Sequence, residues 1–221
     1  MDWDWNYAFE ILPLLAQASL VTIQATLLGF LLAAVLGLVF AVLRMSPNRT
    51  ISLPTTAVVE FIRSTPLLIQ IFFFYFVFPE FGVSLDALTA GIIALGLHYG
   101  TYCAEVYRAG LDNVPRGQWE ASIALNLTTF HTFRDVIIPQ AIPPVVPALG
   151  NYFVALFKET PLLSAIAVME LMQQAKILGS NTFRYIEPIT LVGAFFLVFS
   201  LVAAALIRLL ERRLKRIGAR A

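Results

Sequence analysis

Charge is what this 221-residue chain has least of. Asp, Glu, Lys and Arg make up 13% of it, where a soluble domain carries roughly a quarter. Cysteine occurs once, at Cys103, and histidine twice, at His98 and His131. A single cysteine permits no intrachain disulfide, no cysteine-based metal site and no haem attachment. The two histidines have no ligand-like spacing with each other or with carboxylates, which argues against a metal centre. There is no Gly-x4-Gly-Lys-Ser/Thr phosphate loop, so the chain is not itself an ATPase of the P-loop kind. Gly-x-Ser-x-Gly and other nucleophile–base sets are missing too, which weighs against a membrane-embedded enzyme. The net charge of +1 says nothing about partners, and its distribution along the chain matters more; no nucleic-acid partner is expected.

What is present is apolar surface. Hydrophobic residues make up 59% of the chain and the mean hydropathy is +0.79. A water-soluble globule of 24.5 kDa has too little interior for that surface, and disorder requires the opposite composition. An all-α integral membrane protein of one domain is expected. The first ten residues carry Asp2, Asp4 and Glu10 and no basic residue, the reverse of a signal peptide's positive start. Ala16-Gln17-Ala18 looks like a small-residue cleavage site, but the apolar run continues to Leu43 and reads as a first span.

A membrane-crossing helix needs about 20 apolar residues. Residues 11–43 carry no charge, so the first span is expected at about 18–43, after the breaker Pro13. The others are expected at about 56–79, 86–107, 146–168 and 188–208, five in all. Arg44, Arg49, Arg108, Arg116, Arg134 and the tail residues Arg208, Arg212, Arg213, Lys215, Arg216 and Arg220 then share one face. The other face receives Lys176 and Arg184. Because cytoplasmic loops are the positive ones, the N-terminus is expected outside, and the long polar stretch 108–138 and the C-terminus in the cytoplasm. The basic tail suits attraction to anionic lipid, although ordinary topology accounts for it. No fixed-period repeat is evident, and the inverted halves of many secondary carriers fit poorly into five spans.

Within the polar stretch, Pro115 and Asn126 bracket a helix of about three turns. Asn126 is the second choice after glycine for a left-handed stop. Thr128 or Thr129 is placed to cap a second short helix, ending before Pro139. The result is a helix-turn-helix with Trp119, Ile123, Phe130 and Phe133 exposed or half exposed. Two readings stand: an apolar hairpin that fits a groove on a partner protein, or an interfacial element resting on lipid.

Glu120-Ala121-Ser122, then Asn126, then Val136-Ile137-Ile138-Pro139 resembles the coupling signature of binding-protein-dependent ABC importer permeases. That signature reads Glu-Ala-Ala, three residues, Gly, nine residues, Ile, any residue, Leu-Pro. Ser122 and Asn126 depart from it, the first small-for-small, the second with some loss of left-handed preference. Glu60 to Gln70 (Glu-Phe-Ile-Arg-Ser-Thr-Pro-Leu-Leu-Ile-Gln), Pro139-Gln140-Ala141 and Lys158-Glu159-Thr160-Pro161-Leu162-Leu163-Ser164 resemble the polar amino acid branch, of histidine and glutamine permease type. The resemblance covers about residues 15–215. Pro161 stands where that branch usually has serine, and Pro143-Pro144 is unusual, which leaves room for small zwitterions such as ectoine. The resemblance implies a single permease domain, 1–221, with its coupling loop at about 109–138, in the inner membrane. It implies a second permease subunit, identical or related, two ABC ATPase subunits and an extracytoplasmic binding protein as partners. ATP would be used by the ATPase, with no cofactor on this chain. The hairpin residues it marks for ATPase coupling are Gly117, Trp119, Glu120, Ala121, Ser122, Leu125, Asn126 and Pro139. Of these, Glu120 is expected to make polar contact, and Trp119, Ala121 and Leu125 to pack.

Ionisable groups within spans are costly and hence functional candidates. Glu60 and Arg63, three residues apart, share a helical face and suit a structural pair, with a place on the substrate pathway as the alternative. Lys158 lies roughly 18 Å along the fourth span, and Glu159 and Thr160 follow it. Neighbours on a helix point in different directions, so Lys158 and Glu159 are not expected to pair. A zwitterion needs a cation and an acceptor, which these residues supply; a charge cluster at the subunit interface is the other reading. Glu105, with Tyr99, Thr101 and Tyr102, reads as structural, and Glu170 as a contact for the binding protein. Gly96-x3-Gly100 permits close helix contact. A self-sufficient carrier or channel is the competing function, and five spans, no repeats and the hairpin weigh against it.

Overall fold

The computed structural model describes residues 3–218. Asp2 and Arg220, and the side chains of Lys215 and Arg216, lie outside the described residues. The described chain is helical: α1 (Trp5–Arg44), α2 (Arg49–Ser64), α3 (Leu67–Phe72), α4 (Ala87–Asp112), α5 (Arg116–Ala124), α6 (Thr129–His131), α7 (Ile138–Glu159), α8 (Leu171–Thr182) and α9 (Ile186–Gly218). Four stretches are long and apolar enough to cross a membrane, and a bent pair makes a fifth.

α1 begins well before the expected position and runs unbroken through Pro13. Proline removes one backbone bond, whereas ending the helix there would leave about four carbonyls without donors in apolar surroundings. Asp4 caps the start, accepting from the N–H groups of Asn6 and Tyr7. The second span, expected as one helix, is instead two segments, Arg49–Ser64 and Leu67–Phe81, meeting at 104°. Thr65 precedes Pro66 and takes the extended backbone that this position favours. The buried Gln70 side chain holds the corner, donating to the carbonyls of Ile62 at 2.7 Å and Thr65 at 3.2 Å.

α4 is the enclosed centre: 61% of its most apolar stretch is buried, against 6% for α9. Its closest neighbour is α1, and small residues allow the approach. A Cβ on Gly37 would fall 2.5 Å from Cys103 Cβ and 2.9 Å from the Gly100 carbonyl oxygen, and one on Gly96 would strike Leu32 at 2.6 Å. Ala25, Ala33, Leu67, Ile71, Ala94, Leu95, Cys103, Leu156 and Leu163 form the core around this contact.

The fourth span also differs from expectation. The second hairpin helix does not stop before Pro139; a widened turn, Thr132–Ile137, carries it into α7, so one stretch runs from Thr129 to Ile166. Pro139 is the second residue of α7, just after the widened turn, and it lacks a backbone N–H. Pro143, Pro144 and Pro147 lie inside the helix and withhold donors from the carbonyls one turn back. After a tight turn, Thr160–Ile166, the connection to α9 is not a loop but α8. Glu170 is fully buried and caps α8, accepting from the N–H groups of Met172 and Gln173 at 2.9 and 2.8 Å. It is therefore no open contact for a partner. α8 packs on the first half of α1 through Ile11, Leu15, Leu171 and Ala175.

Candidate functional site

The hairpin is built by local rules. Pro115 sits at the N-cap of α5. Asn126 is left-handed, φ +55°; its N–H reaches the Ile123 carbonyl at 2.9 Å and that of Leu127 the Ser122 carbonyl at 3.0 Å. These are the paired bonds of a Schellman stop. Thr128 then caps α6.

Two faces result. The inner face roots the hairpin on the spans: Val114, Ile137 and Ala141 are buried, with Leu111, Trp119, Phe133 and Val136 packed on them. Trp119 meets Phe133 edge-on, centroids 5.4 Å apart, so its ring is committed inside the hairpin. Ser122 is buried and its hydroxyl donates to the Gln118 carbonyl at 2.8 Å, which satisfies the one polar atom it adds over alanine. The outer face leaves Ile123, Leu125 and Phe130 exposed by 75, 73 and 66%. Glu120, Ala121 and Asn126 are exposed beside them, Pro139 at the root is exposed too, and Gly117 borders open space. Ile123 and Phe130, more than Trp119, offer apolar surface outward.

At the same end of the bundle, charges from α1, α2 and α4 converge. Arg63 lies 3.3 Å from both Glu60 and Glu105. Arg44 pairs with Glu105 and stands 3.8 Å from Glu60, and Arg108 is 3.7 Å from Glu105. Glu60 and Arg63 thus pair, but within a larger set whose hub is Glu105. The three-residue spacing to Arg108 was the one local signal for it.

The Arg63 guanidinium lies 5.3 Å over the Tyr102 ring. From there a strip of rings leads into the bundle: Tyr102 to Tyr152 at 5.4 Å and Tyr152 to Tyr99 at 6.3 Å. The Tyr99 hydroxyl faces the Glu159 carboxylate, whose Oε2 is buried with no hydrogen-bond partner. Lys158 turns the other way, into a groove of about 460 Å³ between α7 and α9 that Asn151 and Arg208 also line. The neighbours do point apart. Thr160 is buried, donating to the Phe157 carbonyl at 2.8 Å, so its hydroxyl is spent on the helix end. Among the described residues no group of three His, Cys, Asp or Glu is placed to hold a metal ion.

The far end carries a second set of contacts, absent from the sequence reading. The Asp4 N–H donates to Glu187 at 3.0 Å, Arg184 pairs with Glu187, and the Tyr7 hydroxyl meets that of Thr182 at 3.0 Å.

Residues 26–216 match the family of binding-protein-dependent transport system inner membrane components. The chain is similar to a probable amino-acid ABC transporter permease of Sinorhizobium fredii, 46% identical over 96% of this chain and 92% of that one. It is also similar to the L-cystine transport system permease of Bacillus subtilis, 37% identical over 92% and 88%. A solved chain from an amino acid ABC transporter with histidines superposes with a TM-score of 0.91 at 38% identity, covering 96% of this chain and all of that one.

Proposed function

Since the chain belongs to the inner membrane components of binding-protein-dependent transport systems, as the permease subunit of an ABC amino acid importer, we propose that its hairpin is the arm on which a separate ATPase docks. The carrying observation is the outer rim: Ile123, Leu125 and Phe130 are exposed on a hairpin whose inner face is fixed to the ends of two spans. A rigid apolar projection beside Glu120 suits a groove on a protein better than lipid, because the Schellman stop and the Trp119–Phe133 contact hold its shape without a partner. The hairpin end is then cytoplasmic, the N-terminus of α1 outside, and ATP is consumed by the partner. A binding protein delivers substrate from outside, and a second permease subunit, the same or related, completes the pathway.

Within the chain, Glu159 is the acceptor we assign to the substrate's ammonium group, with Tyr99, Tyr102 and Tyr152 as the wall beside it. A buried carboxylate oxygen without a partner is costly unless something pairs with it. Lys158, on the opposite face, is assigned to the second permease subunit across the α7–α9 groove. The substrate class is polar amino acids; ectoine-like solutes have no support among the relatives described above. Glu120→Arg tests the docking arm: membrane insertion is expected intact and uptake lost. Normal uptake in that variant would sink the coupling role.

A further inference from the structure

The stretch from Glu60 to Gln70 has no part in docking, yet the structure gives it two joints. One is the 104° corner at Thr65-Pro66, pinned by Gln70. The other is the ion cluster on Glu105. Both joints lie at the C-terminal end of α2; the helix otherwise packs on α1 and α4 with Val59 and Ile62 as its only buried side chains, while Leu53 and Phe61 are largely exposed. A helix fastened at one end, by a hinge and by charged contacts to α1 and α4, with its other end largely exposed, is a lever.

Glu105 stands on the element that carries the hairpin. α4 continues from it without a break to Asp112, about 10 Å further on, and Val114 of the hairpin's inner core follows two residues later. A rotation of the hairpin root therefore turns Glu105. The same carboxylate holds Arg63, and Arg63 covers Tyr102, the near end of the aromatic strip.

We infer that Glu105 is a positioning residue for transport: it keys α2 to the coupling arm, so that hairpin motion carries α2 and the Arg63 cover of the aromatic strip with it. The inference rests on the docking reading given above. Its physical basis is charge balance. Three arginines meet two carboxylates in the cluster, and the Arg44 side chain is only 7% exposed. Removing the Glu105 charge leaves Arg44, Arg63 and Arg108 with Glu60 alone, and like charges then push α2 away from α4.

The test uses the whole transporter, with ATPase and binding protein, in lipid nanodiscs and proteoliposomes. Glu105→Gln is expected to keep the ATPase bound and turning over while amino acid uptake per ATP falls about tenfold, a typical size for a lost coupling between sites. Glu105→Asp, which keeps the charge, restores most of it. Spin labels on Leu53→Cys and Asp112→Cys report whether α2 rides with the arm; native Cys103 is buried and does not compete for label. In the parent their separation is expected to stay constant with and without a non-hydrolysable ATP analogue, and in Glu105→Gln to broaden on nucleotide binding. Should Glu105→Gln fail to fold and insert in the membrane, Arg63→Gln cuts the same link from the other side and is expected to uncouple alike. Uptake per ATP equal to the parent's, or a parent separation that shifts by several ångströms with nucleotide, overturns the inference. Loss of the ATPase from Glu105→Gln also overturns it, by placing Glu105 in docking. Failure of the docking reading shows elsewhere, as retained coupling in Glu120→Arg.

Discussion

Replacing Ile123 by alanine separates docking from folding. The side chain is 75% exposed, so in the isolated chain it contributes little. Fully burying an isoleucine is worth about 1.5–3 kcal/mol. With three quarters of that surface still open, docking has about 1–2 kcal/mol to gain from it, and alanine forfeits most of this. A loss of that size weakens ATPase binding roughly 5- to 30-fold. The assay is titration of the ATPase onto the permease in nanodiscs, beside the thermal melt of the permease alone. Trp119→Ala is the counterpart. Its ring lies against Phe133 inside the hairpin, so its removal is expected to lower the melting temperature and to weaken binding only as a consequence. If Ile123→Ala lowers the melt as far as Trp119→Ala, or leaves ATPase affinity unchanged, the assignment of outer and inner faces is refuted.

Other consequences are equally open to test. Gly37→Val places a Cβ 2.5 Å from Cys103 Cβ, so α1 and α4 must part by nearly 1 Å to reach ordinary contact. Overpacking of this kind costs about 1–3 kcal/mol, to be read as a lowered melt in detergent; an unchanged melt would show that the two helices are not in such close register. Glu170 titrates high, because burial outweighs the two N–H bonds it accepts and pushes its carboxyl up to about 7. The folded chain therefore keeps a proton that the unfolded chain has lost between about pH 4.5 and 7, and its stability falls as pH rises through that window. Glu170→Gln is expected to flatten that part of the pH–melt profile, and a profile identical to the parent's would show the carboxyl to be ordinary. Glu159→Gln removes a charge-assisted bond worth about 1.5–3 kcal/mol and is expected to raise the half-saturating amino acid concentration at least tenfold, with ATPase docking intact. Unchanged uptake kinetics would make Glu159 structural.

Where residues act on near neighbours, the sequence was legible. Asp86 caps α4 at the expected start of the third span, and Asn126 takes the left-handed turn its position demands. Pro13 does not break α1, because in a 33-residue uncharged run breaking the helix costs more than one lost bond. Thr65-Pro66 went the other way, since a side chain five residues on, Gln70, supplies the donors that a broken end lacks. α8 was missed because its cap is a buried glutamate, which sequence spacing offers as a surface charge. Glu105 has its nearest signal at Arg108, but its partners Arg44 and Arg63 are 61 and 42 residues away, and only the packing of α1 and α2 on α4 brings them together. Trp119 shows the same limit: its helical position fits either face of the hairpin, and Phe133 decides.

On this reading the chain moves amino acids only as the permease of an ATP-driven assembly. We would reconstitute it with its ATPase in liposomes and follow ATP hydrolysis with and without the binding protein, across a panel of amino acids. Hydrolysis stimulated only when the binding protein and a particular amino acid are both present is the predicted result. Liposomes holding this chain alone that accumulate amino acid down an ion gradient would contradict it.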